Sequence, residues 1–192
     1  KLDGTGYQST KFRAEEYLKK SGLNYTIFRP SLIFGKPKND QEFCSQLRDT
    51  MLNLPIPAPA FFSGVNISGA GKFKMSPIHV ENVADFFIKS IQNEKYYNQT
   101  HCLGGLKSYN WKEIISIISL ALKKNKWIVP APVAPIKMVA FLLDRFKLFP
   151  ITRDQLTMLL EGNTCESNEL FLDFDITPIE FSPKNLSYLR IK

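Results

Sequence analysis

Between Tyr7 and Gly35 the chain reads as a helix, a short turn, a strand and a loop. Tyr7 and Lys11 stand four residues apart, and helical spacing puts such residues on one face, one turn apart. Ala14 and Leu18 continue that face and can pack on a sheet. Gly22 follows Lys19, Lys20 and Ser21 as a helix stop. Tyr25-Thr26-Ile27-Phe28 is then a β-prone run, which Arg29-Pro30 ends and Gly35 closes off. A helix that stops and hands over at once to a strand constrains the chain towards an α/β arrangement.

The paired side chains carry a particular chemistry. A phenol with a pKa of ~10 is a poor acid or base at neutral pH. A lysine ammonium one turn away stabilises the phenolate. Such a tyrosine can pass a proton to or from a hydroxyl or carbonyl while a cofactor moves hydride. The spacing recurs at Tyr188 and Lys192, but nothing follows that copy, and it is read as chance. The first copy is followed by a helix stop, a strand and Arg-Pro-x-x-x-x-Gly.

Composition excludes several classes. The 192 residues are enough for one sizeable core, or one core plus a lobe. Net charge is +7, scattered apart from short clusters such as Lys19-Lys20 and Lys123 to Lys126. A nucleic-acid binder concentrates charge on a face with interleaved aromatics, so no nucleic acid is expected. Phosphates of a dinucleotide, an anionic membrane surface or an acidic partner suit this balance better. Cys44, Cys102 and Cys165 lie far apart with no C-x-x-C spacing. This argues against a zinc site and against a disulfide framework, and for a cytoplasmic or organelle-matrix location. No metal site is expected.

Further along, Asp40 to Leu54 shows helical spacing at Phe43, Leu47, Met51 and Leu54. Pro55, Pro57 and Pro59 end it, and PIPAPAFF reads as a stiff extended loop. Lys72 to His79 suggests a strand, and Val80 to Gln92 a helix with Val83, Phe86, Phe87 and Ile91 inward. His79 is read as a structural group ahead of catalysis, and His101 as core. Thr100 to Leu103 suggests a strand before Gly104-Gly105. Asn110 and Glu113 fit a capping box on the next helix. Trp127 to Val129 suggests a strand. From Pro135 to Phe149 apolar residues run nearly all round a helix, punctuated by Lys137, Arg145 and Lys147. It is too short and charged to span a bilayer. It suits either burial in a lobe or contact with a membrane surface or partner. Thr152 caps a helix stopped by Gly162, and a last helix is expected from Ser182-Pro183.

The motifs YQSTK, RPSLIFG and PIHVENVADFF together resemble the short-chain dehydrogenase/reductase superfamily in its extended and atypical branches. VPAPVAPIKMVAFLLDRF, ITRDQLTMLLEGN and FDITPIEF look like one atypical group within it. That group contains the nucleotide-binding accessory subunit of respiratory complex I and its bacterial relatives. The resemblance implies Tyr7 as proton donor or acceptor and Lys11 as its partner, with Lys11 also bonding the nicotinamide ribose. It implies backbone contacts from Pro30, Ser31, Leu32 and Ile33 to the nicotinamide end of NAD or NADP. It suggests Phe61 and Phe62 as roof residues over the substrate, against plain packing between lobes. Where the family often has Asp-Val-Ala, this chain has Asn82-Val83-Ala84. The superfamily's glycine-rich dinucleotide turn has no counterpart here, Ser68-Gly69-Ala70-Gly71 being nearest. A C-terminal fragment of a longer protein is therefore expected, against a complete small α/β domain.

The expected fold is α/β: the C-terminal part of a Rossmann-type domain over residues 1–105, with a lobe insertion at about 36–72, and a small mainly helical lobe over 106–192. Three functions compete. One is an NAD(P)-binding protein like the complex I accessory subunit, peripheral to an inner membrane and with turnover left open. The second is an active NAD(P)-dependent oxidoreductase or nucleotide-sugar epimerase or dehydratase. The third is a partner-binding module without cofactor.

Overall fold

Thr5 starts the first helix. Its hydroxyl accepts from the Gln8 N–H while the Gln8 side chain accepts from the Thr5 N–H, a reciprocal cap. Helix α1 runs over Gly6–Lys20, and Gly22 turns the chain at φ +76°. Strand β1, Thr26–Pro30, follows. The computed structural model describes residues 2–38, 42–64, 66–135 and 153–190.

The strands after β1 are β2 (Ile33–Phe34), β3 (Ala58–Phe62), β4 (Lys74–Met75), β5 (Ile78–His79), β6 (Gln99–Leu103), β7 (Tyr109–Asn110) and β8 (Ile128–Pro132). The helices after α1 are α2 (Phe43–Leu47), α3 (Val80–Ser90), α4 (Trp111–Ala121), α5 (Arg153–Glu161) and α6 (Asn168–Asp173). Strand β1 pairs in parallel with β6, from Thr26 opposite Gln99 to Pro30 opposite Leu103. β2 with β5 and β3 with β8 are also parallel, while β4 and β7 are antiparallel. Parallel pairs separated by helices are the mark of the expected α/β class.

Several elements differ from the sequence reading. The helix after residue 40 widens from α2 into a π-type turn over Arg48–Leu52. There the Arg48 guanidinium is buried, holds the Asp49 carboxylate at 2.7 Å and donates to the Leu189 carbonyl at 3.3 Å. The proline-rich run is a strand, β3, and not a loop. Ser76-Pro77 splits the expected strand over residues 72–79 into β4 and β5. In α3, Val83 and Phe86 are buried but Phe87 and Ile91 are exposed. The C-terminal helix shrinks to one 3₁₀ turn, Ser187–Arg190. The apolar stretch over residues 135–149 lies, apart from Pro135, outside the described residues, as does Thr152.

Apolar burial holds these pieces together. Trp111 is fully buried, is ringed by Phe43, Phe61 and Phe73, and donates through Nε1 to the Pro59 carbonyl at 2.7 Å. The cluster around it extends from Phe34 to Leu189. A second cluster joins Ile78, Val83, Phe86 and Leu103 to Phe171, Phe174 and Ile176. Both clusters draw on residues from either side of position 105. Phe61 and Phe62 lie in the core, so they pack between elements and are not free to roof a site.

Asn82 shows what the amide at this position does. Its side chain is buried, donates to the Thr177 carbonyl at 2.9 Å and accepts from the Ile179 N–H at 2.7 Å. A carboxylate can only accept, so an aspartate could not make both bonds. Asn82 thus ties α3 to the C-terminal segment.

Candidate functional site at the ends of the parallel strands

The carboxyl ends of β1 and β6 converge on one knot of buried hydroxyls. The Ser31 N–H donates to the Leu103 carbonyl at 2.7 Å, and its hydroxyl donates to the Asn163 carbonyl at 2.6 Å. The Ser31 oxygen also accepts from the Ser76 N–H at 3.2 Å. The Ser76 hydroxyl accepts from the Cys165 N–H at 3.1 Å. The Ser167 hydroxyl accepts from the Gly104 N–H at 2.8 Å and donates to the Cys102 carbonyl at 3.1 Å. Sequence reasoning singled out Ser31 alone. Ser76 and Ser167 carried no signal, because a buried serine in a loop has no pattern of its own.

Glycine permits this close approach. A Cβ on Gly105 would lie 2.1 Å from the Pro77 carbonyl oxygen, and one on Gly104 2.6 Å from that of Cys165. Cys102 and Cys165 form a disulfide with Cα atoms 5.8 Å apart, within the usual span. The reading against disulfides is overturned here, because the fold joins two cysteines 63 residues apart. Cys44 remains a free thiol, fully buried, and burial pushes its pKa up. Among the described residues no group of three His, Cys, Asp or Glu could hold a metal ion.

Tyr7 and Lys11 lie side by side on the open face of α1. The Lys11 Nζ is 5.6 Å from the Tyr7 ring centroid, and both residues are exposed. Ala14 is exposed as well, so this face does not pack on the sheet as the spacing suggests. The flank of α1 beside this face makes the contacts. Glu15 pairs with Arg29 of β1 through Nε at 2.9 Å, and this bond holds the Glu15 pKa below its ordinary value. Gln8 donates to Glu161 at 3.0 Å.

The end of α5 and the residues just after it link the two parts of the site. Glu161 bonds Gln8, the neighbour of Tyr7, while Asn163, two residues on, bonds Ser31. The start of α1 is thereby held beside the loop Pro30, Ser31, Leu32, Ile33. No hydrogen bond joins Tyr7 or Lys11 to that loop among the described residues. Within the loop, the Ser31 N–H is used by Leu103 and the Leu32 carbonyl accepts from the Ile78 N–H at 2.8 Å.

His79 caps α3, its Nδ1 accepting from the Glu81 N–H at 3.3 Å. Burial lowers its pKa. His101 packs against Phe28, Tyr96 and Phe174, and burial lowers its pKa too. His79 thus makes a structural contact, and His101 sits half-buried among rings. Tyr188 of the second Tyr-x-x-x-Lys accepts from the Gly35 N–H at 3.2 Å, and burial pushes its phenol pKa up.

Ser31 and Leu32 also open onto a cavity of about 260 Å³. One wall is Phe43, Leu47 and Thr50, from α2 and the turn after it. Trp111 forms the floor with Met75, and Met158 and Leu159 of α5 face them. A wider cleft of about 450 Å³ beside Pro55 and Trp127 shares none of these residues. Its Lys124 and Lys126 are engaged by Asn53 and the Leu54 carbonyl.

No family model matches the chain. It is 24% identical over 167 residues to UDP-glucose 4-epimerase of Vibrio cholerae, covering 85% of this chain and 47% of that protein. The chain thus spans about half the length of the curated relative it matches. A nucleoside-diphosphate-sugar epimerase from Staphylococcus aureus superposes with TM-score 0.61 at 21% identity, over 99% of this chain and 61% of that one. UDP-glucuronic acid 4-epimerase from Bacillus cereus, solved with UDP-glucuronic acid and NAD, gives TM-score 0.57 at 14% identity, over 96% and 50%. At these identities the likeness concerns the fold: the chain has the α/β, Rossmann-type architecture of these epimerase structures.

Proposed function

We propose that this chain is the C-terminal part of an NAD(P)-binding protein of the short-chain dehydrogenase/reductase type. The observation that carries the reading is the open Tyr7–Lys11 pair on the helix that leads into β1, held beside the loop at the carboxyl ends of β1 and β6. Ligands of open α/β sheets lie at those strand ends. The solved epimerase with bound NAD supports the cofactor class.

The fit to a dinucleotide is good at one end. Tyr7 and Lys11 are exposed and face the same way, so Lys11 can bond a ribose hydroxyl while Tyr7 Oη reaches a reacting hydroxyl. Backbone of Pro30, Ser31, Leu32 and Ile33 would border the nicotinamide. These 192 residues hold no glycine-rich turn for the diphosphate, and we assign that turn to sequence outside them. The nicotinamide, when bound, supplies hydride transfer. Tyr7 accepts the proton of the substrate hydroxyl, and Lys11 supplies positive charge beside the ring. Tyr7→Phe in the intact protein should lower turnover by at least about 100-fold and leave NADPH affinity within threefold. Equal turnover would remove Tyr7 from the chemistry.

We further infer that the intact protein works as an accessory subunit of a membrane-bound respiratory complex. The motifs shared with the complex I accessory group support this, as does the apolar stretch over residues 135–149. No helix among the described residues is long and apolar enough to cross a membrane. Co-migration with the complex on native gels is the expected result. Recovery wholly in the membrane-free fraction would count against it.

A further inference from the structure

We propose that the cavity between α2 and α5 binds a neutral, largely apolar alcohol or ketone, and not a sugar nucleotide. Calling that ligand a substrate rests on the reading above; its binding does not.

The argument starts from the charge on the walls. Among the described residues none that lines the cavity is charged. Two nearby cations are paired elsewhere: Arg29 holds Glu15, and Arg48, next to wall residue Leu47, holds Asp49. A diphosphate entering here would lose water and gain no counter-charge from the described walls, which disfavours its entry.

The polar wall groups are also largely spent. Ser31 donates to Asn163 and accepts from Ser76. Thr50 donates to the Gln46 carbonyl at 2.7 Å, and the Trp111 N–H goes to Pro59. What remains is the side-chain amides of Gln46 and Asn163, at exposed positions on the rim. A sugar ring, with a hydroxyl on nearly every carbon, needs more partners than two amides supply. One hydroxyl or carbonyl oxygen needs no more than these.

Size agrees. The 260 Å³ would hold about nine waters at ~30 Å³ each, so a ligand of roughly that many non-hydrogen atoms fits. Met75 and Met158 face the space, and their flexible thioethers adapt to apolar ligands of varied shape.

The test uses methyl-labelled methionine in the intact protein. Met75 and Met158 line the cavity, and buried Met51 of the same core does not, so Met51 is the internal control. Titration with 2-nonanone or 2-nonanol should shift the Met75 and Met158 signals saturably and leave Met51 in place. UDP-glucose should move none of them. Met158→Glu should weaken ketone binding at least tenfold, and Met158→Leu should keep it within threefold. Shifts with UDP-glucose but not the ketone would overturn the proposal. So would no shift with either, or undiminished ketone binding in Met158→Glu. NADPH binding, measured on the same samples by equilibrium dialysis, reports separately on the dinucleotide reading.

Discussion

Single side chains in this protein act mainly by what they can donate. Asn82 stands where the resembling family often has aspartate, and sequence alone presents that as a loss of charge. The structure makes it a gain of a donor, used on Thr177. Asn82→Asp should destabilise the fold by about 2–3 kcal/mol at pH 7, read by urea denaturation. Burial raises a carboxyl's pKa. Below that raised value the protonated acid regains a donor, so the gap to the parent should narrow as pH falls. A gap that widens on acidification would contradict this account. Tyr7 and Lys11 show the opposite case. Their spacing was legible in the sequence because a helix repeats every 3.6 residues, and the structure leaves both exposed.

At the level of elements, what local pattern encodes is what survived. The cap at Asn110, the stops at Gly22 and Gly162, and strands β1 and β6 all arise from neighbouring residues. Elements decided by distant partners escaped. β3 became a strand because β8 lies beside it, so three prolines nearby did not prevent pairing. The strand over residues 72–79 breaks at Ser76-Pro77, where the Ser76 N–H turns to the Asn163 carbonyl. The link between Cys102 and Cys165 belongs to the same class. It fastens β6 to the loop after α5, which also carries Asn163. Closing a loop of that length stabilises by up to about 4 kcal/mol on chain-entropy grounds. A reductant should therefore lower the melting temperature of the parent and leave Cys102→Ser unaffected. Equal sensitivity in both would show that the bond contributes nothing.

For the whole molecule, the two apolar clusters bind the early and late parts of the chain together. Phe34 packs in one cluster with Leu186 and Leu189, and Leu103 in the other with Phe171 and Phe174. Unfolding should thus be a single transition, with tryptophan fluorescence and far-ultraviolet circular dichroism tracing coincident urea curves. Two separated transitions would mean that residues on either side of position 105 fold independently. Helix α1, which buries no residue, should exchange its amide hydrogens fastest among the longer helices. By itself the sequence determined the α/β class, the helix that carries Tyr7 and Lys11, and the order of β1, α3 and β6, since all rest on periodicity and caps within a few residues. Tertiary structure alone decided the serine knot, the disulfide, the buried work of Asn82 and the uncharged cavity beside Ser31. Each of these joins residues scores of positions apart, and only packing determines which buried polar groups find partners.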